Sequence, residues 1–209
     1  MQCEQNNYAS CFYLGTKYMS GVEVPKDVDR AAKLYQSACD HGYAKGCSAL
    51  GFFYKIGLGV SQNLDRAVAL CRRGCEGGDG LGCAVLAPMY EVGERVPKDL
   101  AVAASFDQRG CDDGNPMSCA ALGRVYFYGI GVTKDEERAV KLYQRACEGG
   151  AAPGCMWLGW AYGAGQGVPE DDTVAASHLR EQHRQNFVGC YAAMRRSSMS
   201  VNMSWRTAS

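Results

Sequence analysis

Apolar residues recur at helical spacing along most of this chain, and the pattern repeats. After Pro116, the residues Cys119, Leu122, Gly123 and Tyr126 fall at i, i+3, i+4 and i+7, which is one face of a helix. The same face returns as Cys47, Leu50, Gly51, Tyr54 and as Cys155, Leu158, Gly159, Tyr162. A second stripe follows each time; in the unit after Pro116 it reads Ala139, Leu142, Tyr143, Ala146. Glycine is expected to stop each first helix, at Gly21, Gly57, Gly93, Gly129 and Gly165, because it tolerates the left-handed conformation found at helix ends. Each second helix is expected to start at Asp27, Asn63, Asp99, Asp135 or Asp171, whose side-chain oxygen can accept from free amides of the first turn. Gly42, Gly78, Gly114 and Gly150 should end the second helices, and Asn115-Pro116 reads as a cap followed by the proline favoured at the first helical position. The alanine column Ala31, Ala67, Ala103, Ala139 and Ala175 lets two helices approach closely.

The cysteines give the period. Cys3, Cys39, Cys75, Cys111 and Cys147 stand 36 residues apart, and Cys11, Cys47, Cys83, Cys119 and Cys155 follow eight residues behind. A constant interval of this size marks a stacked array in which each unit contacts its neighbours. The expected organisation is an all-α solenoid of five 36-residue helix pairs, at 8–43, 44–79, 80–115, 116–151 and 152–187, after a remnant at 1–7 and before an irregular tail at 188–209. Cys3 stands where a second helix should be ending, so an upstream segment with any targeting signal is expected. Several positions depart from the pattern. Pro88 falls in the middle of a first helix and predicts a kink or a shortening there. Ala87 replaces the stripe glycine, while Cys71 and Asp107 replace the stripe tyrosine. His183 and the displaced Cys190 break a sixth cysteine pair.

Composition narrows the setting. Lys plus Arg and Asp plus Glu both number 22, a neutral balance that argues against nucleic acid as the main partner. No apolar run approaches the 18 residues of a membrane span. Twelve cysteines in 209 residues are many for a reducing compartment. A disulfide needs Cα atoms within roughly 7 Å, and a turn such as His41-Gly42-Tyr43 would bring Cys39 and Cys47 to that range. Reduced structural thiols and metal ligation are the alternatives. Zinc sites show ligands two to four residues apart, and a seven-residue gap without a neighbouring His fits them poorly. No metal or cofactor is expected. Cys71 and Cys190 are left unpaired by the spacing, Cys71 as a small buried side chain and Cys190 as a tail thiol free to cross-link chains.

The segments L-G-x-x-Y-x-x-G-x-G-V-x-x-D, at Leu122–Asp135, and A-x-x-x-Y-x-x-A-C-x-x-G, at Ala139–Gly150, resemble the Sel1-like repeat, a relative of the tetratricopeptide repeat. With the C-x7-C pairs added, the chain is similar to the Helicobacter cysteine-rich protein family. The resemblance implies a right-handed α/α superhelix. It implies a scaffold that holds a protein, a peptide or a peptidoglycan fragment in its groove. It implies, as the alternative, weak β-lactamase or penicillin-binding activity. The compartment implied is secreted or periplasmic. A mitochondrial intermembrane-space branch with paired cysteines implies an assembly factor instead.

Motifs for catalysis are missing from the sequence. No serine has Lys three residues later, no H-E-x-x-H or G-x-S-x-G occurs, and the Gly-x-Gly turns follow helices rather than strands. A hydrolase reading therefore rests on the resemblance alone. His178 and His183 sit on a polar helical segment and read as solvated surface. The ligand surface is expected on the first helices, opposite their core stripe. Those columns read Tyr13, Ala49, Val85, Ala121, Trp157 and Thr16, Phe52, Pro88, Arg124, Trp160. Tyr13, Phe52, Trp157 and Trp160 are the candidate contacts, with Arg124 as partner for a carboxylate. Packing between repeats is the competing explanation for the aromatic rings.

Overall fold

Within the described residues the expected helices form, because their start and stop signals are satisfied by the backbone. The structure is a computed structural model and describes residues 8–171 and 173–178. The helices are α1 (Tyr8–Ser20), α2 (Val28–Asp40), α3 (Ala44–Ile56), α4 (Leu64–Glu76), α5 (Gly80–Val92), α6 (Leu100–Asp112), α7 (Pro116–Tyr128), α8 (Glu136–Glu148) and α9 (Ala152–Ala164). Residues 173–178 are helical as well, and no strand occurs among the described residues. Asp27, Asn63 and Asp135 accept from the amides of Arg30, Arg66 and Arg138. Asp99 and Asn115 each accept from two amides of the turn they open. At the C-termini of α3, α5, α7 and α9, Gly57, Gly93, Gly129 and Gly165 are left-handed, and each donates its N–H to the last turn.

Each helix packs on the next in sequence, and each first helix (α1, α3, α5, α7, α9) also packs on the following first helix. Among the described elements the second helices make no comparable contact with one another. The array therefore bends toward its first helices, which line the inner side of a right-handed α/α superhelix. Four hydrophobic clusters follow one another along it, and each straddles two neighbouring repeats. One joins Tyr35 to Leu50 and Phe53, and another joins Tyr143 to Leu158 and Ala161. No unit buries its apolar stripe alone, so stability is shared between neighbours.

Four bridges close across the turns: Cys39–Cys47, Cys75–Cys83, Cys111–Cys119 and Cys147–Cys155. Their Cα atoms lie 4.5 to 4.8 Å apart, so the turn performs the reversal that the spacing demands. Each bridge ties the end of a second helix to the start of the next first helix. Cys11 is disulfide-bonded too, while Cys3 and Cys190, the tail 188–209 and His183 lie outside the described residues. Arginines add a polar link at the same level. Arg73 donates to the carbonyl of Cys39, Arg145 to that of Cys111 and Arg109 to that of Glu76, capping the preceding second helix. Structural disulfides of this kind belong to an oxidising, non-cytoplasmic compartment, and no described helix is long and apolar enough to cross a membrane.

The close approach within each pair depends on glycine. A methyl at Gly123 would lie 2.5 Å from the Tyr143 ring, and one at Gly15 would lie 2.8 Å from Tyr35. At Gly51 the neighbour is the Cys71 sulfur, at 2.5 Å. These partners are all 20 residues apart, so the same register sets Ala87 against Asp107 in the α5–α6 pair. Two details differ from the simplest reading of the pattern. The helix containing Pro88 is not shortened: α5 keeps the 13 residues of its sisters, with Pro88 on the exposed side. The stripe tyrosines Tyr18, Tyr54 and Tyr126 are only half-buried, and arginines cover part of their rings, Arg138 at 4.0 Å from the Tyr126 ring centre and Arg30 at 4.5 Å from that of Tyr18.

Candidate functional site

The two kinds of helix divide the charged and the apolar surface between them. The five first helices carry five charged residues in all, Lys17, Lys45, Lys55, Glu91 and Arg124, whereas α8 alone carries six. Of the eleven large hydrophobic residues exposed in the described chain, ten lie on first helices and the other, Val22, lies in a loop. The first helices, which line the inner side of the bend, thus carry most of the exposed apolar side chains, and the second helices carry most of the helical charge. A solvated helix face would show the reverse, and exposed apolar area concentrated on one concave side marks a partner surface.

The inner columns differ in depth. In the first, Ala49 and Val85 are buried and join the core, while Tyr13 is exposed. Trp157 is divided between roles. It stacks on the buried Tyr143 ring with centroids 6.1 Å apart, and it meets Trp160 edge-on at 5.9 Å. The second column is open: Phe52 is 38% exposed and Trp160 42%. A third open column, four residues further on, holds Ile56, Val92 and Tyr128, the last 53% exposed. Reading only two columns in the sequence missed this third one. The signal was present, since Ile56, Val92 and Tyr128 follow Phe52, Pro88 and Arg124 at i+4 on the same helix face.

Tyr128, Trp157 and Trp160 are brought together where α7 meets α9. Tyr128 lies edge-on to Trp157 at 6.2 Å, and Phe127 lies edge-on to Trp160 at 5.3 Å. These contacts hold the rings in fixed orientations, so a partner can use them without first ordering them. Phe52 and Tyr13 lie on α3 and α1, two and three first helices away from α7, and do not belong to this aromatic group. Arg124 is not free on the groove floor. One of its terminal nitrogens donates to both carboxylate oxygens of Glu91 on α5, at 2.9 and 3.0 Å. Asp107, from α6, is 6% exposed and lies within the electrostatic reach of this pair. Burial, and after it the charge of Glu91, raise its carboxyl from 3.8 to about 7 against the opposing charge of Arg124.

Cys71 is buried and free, as its spacing implied. Burial pushes its thiol up to about 12, which leaves no thiolate for chemistry near neutral pH. Open clefts lie elsewhere. One cleft of about 460 Å³ is lined by Ala32, Lys33, Gln36, Leu50 and Tyr54, and another of about 480 Å³ surrounds Val24–Arg30. Both sit near the loops and second helices and neither includes an aromatic residue of the α7–α9 group. They lack convergent reactive groups, so the elongated inner face remains the better candidate for a macromolecular ligand.

Comparison with known proteins places this geometry. The model of the Sel1 repeat matches residues 9–43, 44–79, 81–115, 116–150 and 152–181. Among curated proteins none matches significantly. A Sel1 repeat protein from Oxalobacter formigenes is 30% identical with a TM-score of 0.78, over 90% of this chain and 77% of the other. A protective antigen of uropathogenic Escherichia coli with an SLR fold is 26% identical with a TM-score of 0.72. That match covers 95% of this chain and 44% of the antigen. Cysteine rich protein B of Helicobacter pylori is 33% identical with a TM-score of 0.51, over 65% of this chain and 97% of the other.

Proposed function

The chain belongs to the Sel1 repeat family, and from that premise we propose that it is a disulfide-clamped scaffold whose inner face holds a protein or peptide segment. The observation that carries this reading is the asymmetry between the helices: exposed apolar side chains collect on the first helices and charges on the second. The fitting partner presents an uncharged apolar stretch, because most of this face offers no counter-charge to a desolvated ion. Phe52, Tyr128 and Trp160 serve as the anchors, Trp157 supports them from below, and Tyr13 extends the surface toward α1. The Glu91–Arg124 pair supplies a polar point between the anchors. The compartment is extracellular or periplasmic, in keeping with the bridges. A cell-wall fragment is the other ligand that the exposed rings could stack against.

The test is a display of apolar and charge-scrambled 12-residue peptides, with a soluble peptidoglycan digest as a separate arm, read by Trp fluorescence and calorimetry. The variant pair Tyr128→Ala/Trp160→Ala should lose peptide binding by about 100-fold, the range of two interface anchors, while the melting temperature stays within a few degrees. A melting temperature that falls in step with binding assigns the rings to the core. Binding of the digest alone replaces the peptide with a glycan partner.

A further inference from the structure

We infer that the α5–α6 hairpin is a pH-sensitive joint in the array, and that ionisation of Asp107 loosens its packing against α5 and α7 and alters the bend of the inner face. The inference goes beyond the scaffold reading and stands without any bound partner. Three neighbouring pairs close on glycine against a ring or a thiol: Gly15 on Tyr35, Gly51 on Cys71 and Gly123 on Tyr143. In the α5–α6 pair the same register sets a carboxyl, Asp107, against Ala87. That carboxyl is 6% exposed, in a seam where the sister residues are uncharged near neutral pH.

The charged groups that reach Asp107 come one from each helix packed on α6. Glu91 of α5 repels its charge and Arg124 of α7 attracts it. Arg124 is already committed, with its bidentate contact to Glu91 bridging α5 and α7. When Asp107 is neutral that bridge stands. When Asp107 is ionised, Arg124 is drawn by two carboxylates on two different helices, or water enters the seam. Either response disturbs the contact that sets α5 against α7. Two local features weaken this hairpin, the second of them shared with Glu23 after α1, at φ 65°. Pro88 lacks the N–H that would close one turn of α5, and Arg95 in the following loop is left-handed at φ 62°, where the corresponding residues after α3, α7 and α9 are Gly59, Gly131 and Gly167. Burial raises the Asp107 carboxyl to about 7, so the change falls within the physiological range.

Amide hydrogen exchange on the oxidised full chain at pH 5.5 and 8.5, corrected for intrinsic rates, tests this. Protection in α5 and α6 should fall by about tenfold relative to α3 and α4 as pH rises. Asp107→Asn should abolish that relative loss. Ala87→Gly/Asp107→Tyr, which rebuilds the pair seen in the α7–α8 hairpin, should abolish it too. A carbon-13 titration of the Asp107 carboxyl in the unmodified protein gives a readout that needs no variant. A constant α5–α6 to α3–α4 ratio overturns the inference. So does an Asp107 midpoint below about 5, which is close to the ordinary carboxylate range, or a relative loss that persists in Asp107→Asn.

Discussion

Glu91 and Arg124 meet across a repeat boundary, 33 residues apart, in the same register in which Phe127 meets Trp160. One lateral position on the inner face therefore holds an ion pair between α5 and α7 and an aromatic pair between α7 and α9. Both side chains of the ion pair are about one-third exposed, so solvent screens it. A double-mutant cycle with Glu91→Ala and Arg124→Ala should give a coupling of about 0.5 to 1 kcal/mol at low salt, shrinking as salt is added. A coupling indistinguishable from zero at all salt concentrations would mean that the two groups merely lie close together.

The bridges should act locally. Each closes a loop of about eight residues, and the chain-entropy relation then gives about 2.5 kcal/mol per bridge. Replacing Cys75 and Cys83 together with Ser should lower stability by that amount, with the loss of amide protection greatest in α4 and α5, since the array transmits strain only to neighbours. Intact mass with and without reductant counts the bridges first. Uniform loss of protection from α1 to α9 would contradict the nearest-neighbour picture.

Much of this architecture was legible in the sequence, for a definite reason. Helix starts, stops and the cysteine beat depend on single residues with strong local preferences, such as Asp135 at an N-cap or Gly129 in a left-handed C-cap. The inner face was only partly legible, because burial there depends on which neighbour a residue meets. Phe53, Met89, Val125 and Ala161 are buried although they lie outside the expected stripe, since each first helix packs against both its own partner and another first helix. Trp157 could not be assigned to core or surface from spacing because it is both. The pairing of Arg124 with Glu91 was invisible for a simpler reason: a contact 33 residues away leaves no local pattern.

Gly123 is expected to tolerate no side chain. A methyl there would sit 2.5 Å from the Cε1 atom of Tyr143, a ring that is fully buried and has nowhere to move. Gly123→Ala should cost about 1 to 3 kcal/mol by overpacking, despite the better helix propensity of alanine. Combining it with Tyr143→Leu should recover part of the loss. A stability gain from Gly123→Ala alone, measured by urea unfolding, would show that the helices separate more easily than their packing implies.

Arg95 stands where the corresponding residues Gly59, Gly131 and Gly167 are left-handed glycines and Glu23 is a left-handed non-glycine, and it holds φ at 62° itself. A residue with a Cβ loses about 1 to 2 kcal/mol in that conformation. Its approach to Asp65, at 4.0 Å between two exposed side chains, does little to offset this. Arg95→Gly should therefore raise stability by about 1 kcal/mol once the greater entropy of unfolded glycine is included. Arg95→Ala, which keeps the Cβ, should not. Equal gains from both would place the effect in the arginine side chain instead of the backbone.

Global stability should depend on pH through Asp107, and the sign is fixed by the direction of its shift. Burial raises the folded carboxyl from 3.8 to about 7. Between those values the folded chain binds the proton more tightly than the unfolded chain, so stability falls as pH rises and levels off above about 7. Below the unfolded value both states are protonated and the residue contributes nothing. The total loss is on the order of 4 kcal/mol at the conversion of 1.36 kcal/mol per pH unit, and about 2 to 3 kcal/mol of it falls between pH 5 and pH 8. Asp107→Asn cannot ionise, so its stability relative to the parent should improve by that amount across the interval. The other carboxylates are common to both proteins, so whatever they contribute cancels in the difference. Urea midpoints for the two chains at pH 5 and pH 8 decide the matter: parallel pH profiles would show that Asp107 reaches water or a cation when it ionises.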